Sequence, residues 1–365
     1  MTRPTLDDAR ELSEWRPPLG VLSVYLGFDP ADRGGAWRTE LRNGLESILD
    51  AEKEAEHERR VALRATAKRL TDRFEDGELR PPPRGEVGFV EVAEKAGTEH
   101  WFGAGVAPVA AACVELGPEP VVTPLLELQG RGTSRAVVLI SAERVRLLGC
   151  VEGTLEELED WELSITSLDW RERKAHSTSN PARAQGVGSS GHDQFDERLE
   201  HNRQRFLGEC GGLVANRIAA DGFGEAIAFG PSRDFESFEG SFNFPRVELI
   251  LGGDVDLISA PKGKVGEVLS EAVARLEAER ERALVAQVLA EVKGGSRGAG
   301  GPQEAAEALA EGRVDHLILD ATVNGGKAES LVRGALSSSA RVTLVRGEAA
   351  ESLGETEGVA AILRY

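Results

Sequence analysis

The chain has 365 residues, 41% of them apolar, and a formal net charge of −19. Length and apolar content suffice for two or three packed domains. The acidic balance excludes a protein coated for general nucleic-acid binding, because phosphate affinity is mainly cationic, but it permits a local basic loop on an acidic body.

Cys113, Cys150 and Cys210 are scattered, with no metal-like spacing, which fits a reducing cytoplasm. Met1 to Pro17 is polar and charged, so no signal peptide is expected there. No apolar run approaches the ~20 residues of a membrane span.

In chain order, Leu19 to Phe28 reads as a strand ended by Asp29-Pro30. A helix begins at Ala36 with Trp37, Leu41, Leu45 and Ile48 on one face. Asp50 to Arg60 is charged and solvated, and helix resumes through Val61, Ala65, Leu70 and Phe74. Glu78 to Gly85, with Pro81-Pro82-Pro83, is a break. Strands are expected at Val87–Val90, His100–Phe102 and Val121–Leu125. An N-terminal α/β domain, 1–131, ends near Gly130-Arg131-Gly132.

A central domain, 132–270, opens with the apolar runs Ala136–Ile140 and Val145–Cys150, a predicted hairpin about Ser141-Ala142-Glu143. A third strand is expected at Leu163-Ser164-Ile165. From Arg171 to His192 the chain is basic and small, with almost no large apolar residue, so it is expected to protrude as a loop. An Arg-rich amphipathic helix follows over 193–219, with Phe195, Leu199, Phe206 and Leu213 as an approximate stripe. Further strands are expected at Ala226–Phe229 and Val247–Gly253, then a long helix from Val265 to Lys293. Its charged middle, Glu277 to Arg282, suits a helix bridging two domains.

The C-terminal domain, 271–365, alternates helix and strand. The glycine run Gly294–Gly301 lacks the Gly-Lys-Ser/Thr ending of a phosphate loop and reads as a flexible turn. Pro302 opens a short helix closed by Gly312. Strands are expected at Val314–Asp320, Val342–Val345 and Val359–Leu363, and Asn324–Lys327 as a turn or helix start. Alternation implies a mostly parallel sheet.

The layout of hairpin, glycine-bearing polar loop and Arg-rich helix resembles the central domain of the archaeo-eukaryotic class I release factor and Pelota family, including its divergent, Balon-like bacterial members. The Tyr-Leu strand followed by Trp37-Arg38-Thr39-Glu40-Leu41-Arg42 resembles the N-terminal region of the bacterial relatives. The glycine turn, short helix, Gly312-Arg313-Val314-Asp315 and the ending Gly358–Tyr365 resemble the family's C-terminal domain. The resemblance implies an α/β fold of three consecutive domains in a release factor/Pelota-like arrangement. It also implies a partner, the ribosome, bound through rRNA at the A site, with peptidyl-tRNA within reach, and no cofactor or membrane.

One departure matters. The family's release factors carry Gly-Gly-Gln at the loop tip, and this sequence has no such triplet. Its tip reads Gly188-Ser189-Ser190-Gly191-His192-Asp193-Gln194. Two readings follow: a non-catalytic hibernation or rescue-type factor, or a peptidyl-tRNA hydrolase in which Gln194 or Gln185 replaces the glutamine or His192 acts as base or water positioner. A third is an RNA- or protein-binding scaffold off the ribosome. Arg171, Arg173, Lys174 and Arg183, the small tip Gly188, Ser189, Ser190 and Gly191, and Arg198, Arg203 and Arg205 of the helix are the candidate RNA contacts. Stop-codon motifs are missing from the N-terminal domain, and Arg33, Arg38 and Arg42, which could touch RNA, read better as a solvated face. His176, His192 and His201 have no compact metal spacing, and no metal site is expected.

Overall fold

The structure is a computed structural model that describes residues 4–27, 36–75, 85–103, 113–130, 134–151, 153–163, 191–295, 297–323 and 326–365. Mixed α/β architecture with three sheets runs through it. The chain gathers into two compact units, one of Met1–Gly132 with Glu277–Tyr365 and one of Thr133–Leu276.

The chain opens with helix α1 (Leu6–Glu14), which the polar N-terminus concealed. Thr5 and Asp8 form a capping box: the Asp8 amide donates to Thr5 Oγ1 at 3.1 Å and the Thr5 amide to Asp8 Oδ2 at 2.7 Å. Strand β1 (Val21–Gly27) is buried on both faces, as a central strand should be. Helices α2 (Ala36–Ala51) and α3 (His57–Glu75) follow, then β2 (Gly85–Glu91), β3 (Glu99–Gly103) and β4 (Cys113–Gly117). The sheet order is β3-β2-β1-β4, every pair antiparallel. Trp37, Leu41, Leu45, Leu70 and Phe74 pack on Leu22, Val24 and Leu26, so the predicted helix face is the buried one. Val121–Leu125, expected as a strand, instead leads into helix α4 (Thr123–Gly130). Pro124 suits a first helical turn, and the cap comes from Glu329, 206 residues away from Thr123. Such a tertiary cap cannot be read from local propensity.

The second unit holds β5 (Arg135–Ser141), β6 (Arg144–Val151), β7 (Thr154–Glu162), helix α5 (Gly191–Asp221), β8 (Glu225–Phe229), α6 (Ser232–Glu239) and β9 (Glu248–Gly253). The order is β7-β6-β5-β8-β9. The hairpin β5–β6 forms as predicted, with Val138 opposite Leu147. β8 runs parallel to β5, and β9 to β8. The third strand lies at Thr154–Glu162 rather than Leu163–Ile165. Its acidic sequence hid it, and arginines offset that charge: Arg144 holds Asp160 at 2.6 Å and Arg146 holds Glu157 at 2.7 Å. α5 and α6 cover one face through Leu207, Cys210, Val214, Ile218 and Phe238. The predicted α5 stripe is thus shifted. Leu213 is 49% exposed, Leu199 and Phe206 are half-buried, and the side chain of Phe195 lies outside the described ones. Cys210 and Ala215, small residues, form part of the true contact face.

Helix α7 (Lys262–Gly294) covers the other face of this sheet with Val265, Leu269 and Ala272. The boundary between units falls inside it, at Leu276/Glu277, beside its charged middle. Its later residues Val285 and Val288 join a core with Ile318, Val345 and Leu353 of the first unit.

The remaining elements are β10 (Gly298–Gly300), α8 (Pro302–Ala310), β11 (Val314–Asp320), α9 (Gly326–Ser337), β12 (Arg341–Val345), α10 (Gly347–Ser352) and β13 (Val359–Leu363). The order is β10-β13-β11-β12. Only β11 and β12 are parallel; β13 lies antiparallel to both β10 and β11. The expectation of a mostly parallel sheet is corrected: a short 3-10 turn at Leu353–Thr356 and the reversed backbone at Glu357 and Gly358 bring β13 back into the sheet. The glycine run is also more than a turn. At Gly298 a Cβ would stand 2.2 Å from the Val292 backbone nitrogen, so glycine allows β10 to lie against α7.

Candidate functional site

The parallel strands β5, β8 and β9 end on one edge of the second unit, and ligand sites in open α/β sheets favour the carboxyl ends of strands. β5 ends in the turn Ser141–Arg144, where Ser141 Oγ accepts from the Arg144 amide at 3.1 Å. β8 ends at Phe229; the next residue, Gly230, has φ +154°, and a Cβ there would lie 2.3 Å from the Ile140 carbonyl oxygen. α5 runs past the same edge.

An ionic cluster gathers there. Arg203 of α5 donates to Glu143 in the β5–β6 turn. Arg233, in the first turn of α6, donates to Glu200 of α5. Asp234 sits beside them. Burial and the nearby Glu200 raise its carboxyl above the usual range, against the pull of Arg233 and Arg203. Arg203 Nε is shut off from solvent with no hydrogen-bond partner among the described residues.

The other helix cations differ in their commitments. Arg198 and Arg205 are exposed, and Arg205 lies 3.7 Å from Glu209. Arg217, nearer the end of α5, holds Glu159 and Asp221 at 2.7 Å each. Gly191, His192 and Gln194 fall in the first helical turn of α5. Arg171, Arg173, Lys174, Arg183, Gly188, Ser189 and Ser190 lie outside the described residues, as do His176, Gln185 and Arg33. Helical rise separates the backbones of His192 and His201 by about 13 Å along the axis. No metal-ligating cluster occurs among the described residues. Burial pushes the Cys113 thiol up to about 11 and Cys210 up to about 12, and raises Cys150 too, which disfavours the thiolate.

Sequence reasoning missed Glu143, Glu200, Arg233 and Asp234. The signal for two of them was present. Gly230-Pro231 reads as a strand stop, and Ser232-Arg233-Asp234 behind it is a helix-start pattern.

A separate cavity of 1030 Å³ lies in the first unit, lined in part by Tyr25, Cys113, Leu128, Leu319, Arg333 and Arg346. Its charges are largely spent internally. Arg333 holds Glu119 at 2.9 Å and Glu329 at 3.3 Å, and Arg16 holds Glu119 at 2.7 Å.

Residues 133–252 match the family model described as bacterial archaeo-eukaryotic release factor family 5. The chain is also similar to the archaeal translation termination factor aRF1, at 20% identity over 100% of this chain and 99% of that one, TM-score 0.27. A model of ribosome-bound archaeal Pelota with ABCE1 gives 14% identity over 100% and 95%, TM-score 0.41. Dom34 of S. cerevisiae, described as a translation termination-like factor, gives 10% over 77% and 80%, TM-score 0.42. No curated protein matches. No described helix is long and apolar enough to cross a membrane.

Proposed function

Because the chain is bacterial archaeo-eukaryotic release factor-like through residues 133–252, we propose that it is a ribosome-associated translation factor of the cytoplasm. It occupies the A site and directs its second unit at the peptidyl-transferase centre. The observation that carries this reading is the match itself: it spans the β5–β6 hairpin, the segment that follows and the Arg-bearing helix α5. The missing Gly-Gly-Gln favours a non-catalytic hibernation or rescue-type factor. In this reading Arg171, Arg173, Lys174 and Arg183, with Arg198 and Arg205 on α5, meet rRNA phosphates, and Gly188, Ser189, Ser190 and Gly191 allow close backbone approach.

A second reading, a peptidyl-tRNA hydrolase in ribosome rescue, draws on the glycine-bearing segment kept between β7 and α5, with His192 and Gln194 as water-positioning groups. A third, a scaffold acting off the ribosome, draws on the net charge of −19.

Co-sedimentation with 70S ribosomes at moderate salt, empty or carrying peptidyl-tRNA, tests all three. Binding lost on deletion of residues 171–192 supports A-site occupancy. Peptide release that disappears in the His192→Ala/Gln194→Ala double variant would instead establish the hydrolase. Failure to bind either ribosome would leave the off-ribosome scaffold.

A further inference from the structure

Apolar burial on α5 begins at Leu207 and continues through Cys210, Val214 and Ile218. Before Leu207, no described side chain of the helix is buried; Leu199 and Phe206 are half-buried. Gly191 and Leu207 are about 24 Å apart along the axis at helical rise. Among the described side chains, the hydrophobic core therefore holds α5 chiefly from Phe206 onward. Among the interactions of the described residues there are two ion pairs, Arg203 to Glu143 and Glu200 to Arg233. Glu200 and Arg203 stand three residues apart, on one face of the helix. One is held by the turn that ends β5, the other by the first turn of α6, so the helix is fixed to two separate parts of the sheet edge.

We infer that Arg203 is a positioning residue, not an RNA contact: with Glu143, Glu200 and Arg233 it forms an ionic frame that sets the direction of the first turns of α5. The shielded Nε supports this. A guanidinium whose Nε is closed to solvent and whose Nη2 is given to Glu143 has lost the Nε–Nη2 edge for bidentate phosphate contact. Arg198 and Arg205, exposed on the same helix, carry the contact role instead. The ribosome arm of the test rests on the function proposed above; the exchange arm does not.

The test uses the full-length protein as wild type, Arg203→Ala, Glu143→Ala, the double alanine variant and the charge-exchanged Glu143→Arg/Arg203→Glu. Hydrogen exchange is followed in peptides covering 197–205, with peptides covering 207–218 as the internal control. Each single alanine variant is expected to speed exchange in the first window about threefold, the scale of a partly exposed pair. The second window and the melting temperature stay unchanged, which a general loss of structure would not allow. The double variant should be no worse than either single one, and the charge-exchanged pair should recover protection. Ribosome binding should follow the same pattern, Glu143→Ala weakening it as much as Arg203→Ala. Loss of binding in Arg203→Ala alone, with Glu143→Ala and the exchange profile unaffected, makes Arg203 an RNA contact and overturns the inference. Unchanged exchange in both single variants overturns it as well. If wild type fails to bind ribosomes, the functional proposal falls and the exchange result still decides the frame.

Discussion

Two guanidinium–carboxylate clamps on helices make an instructive pair. In the first unit, Glu329 and Arg333 of α9 grip the segment before α4. Glu329 accepts from the Val122 amide at 2.7 Å, the Thr123 amide at 3.1 Å and the Thr123 hydroxyl at 2.6 Å. Arg333 donates to the carbonyls of Ser13 and Pro120. The side chains are 16% and 12% exposed. In the second unit Arg203 and Glu143 are 31% and 46% exposed. The chemistry is the same and the solvent is not. The first clamp is the more buried of the two and is made largely with backbone groups, so losing one partner is costly. The second is screened and exchangeable, so it steers a helix without deciding whether the unit folds.

The largest effect should therefore come from Glu329→Ala. It orphans two amides and a hydroxyl at the start of α4 and removes one partner of Arg333, an expected loss of about 3–5 kcal/mol, read from the urea midpoint. A loss below about 1 kcal/mol would mean that water replaces the cap and the contrast is one of geometry alone.

Arg146 sharpens the comparison from inside the second unit. Its Nε and Nη2 each donate to Glu157 at 2.7 Å, and Nη1 donates to the Ile258 carbonyl at 2.7 Å. Because it is buried, Arg146→Ala is expected to cost about 2 kcal/mol, discounted for the partial exposure of Glu157. If burial rather than location governs, this exceeds the global effect of Arg203→Ala, which should stay under about 1 kcal/mol in the same denaturation series.

Legibility followed the same division. Elements built on apolar periodicity were readable: the β5–β6 hairpin, the Trp37–Leu41–Leu45 face of α2, the long α7 and the strand at Val314–Asp320. Elements whose cause lies elsewhere in the chain were not. α4 depends on a cap 206 residues away, and β7 looks too acidic until Arg144, Arg146 and Arg217 are placed against it. The candidate site was half readable for the same reason. Its arginines stand out in the sequence, but the pairing of Arg203 and Arg233 depends on Glu143 and Glu200, which only the fold brings near.

The smallest effect separates burial from pairing by using pH. His316, buried in β11, shares a hydrogen bond of 2.8 Å between Nε2 and the Thr343 hydroxyl. Burial lowers its pKa, as does Arg341, while Asp315 opposes them weakly. A histidine with a folded value below the ordinary ~6.5 is protonated first in the unfolded chain on acidification. Its contribution is present above the unfolded value and is lost as pH falls through the folded one. Asp160 and Glu157, held below the usual carboxylate range chiefly by Arg144 and Arg146, lose theirs only at lower pH. Between pH 7 and 5 the wild type should therefore lose stability that His316→Gln does not lose, read as diverging urea midpoints. Parallel midpoints across that window would show that the imidazole stays solvated enough to titrate normally, and burial alone would no longer rank the polar groups of the first unit above those of the second.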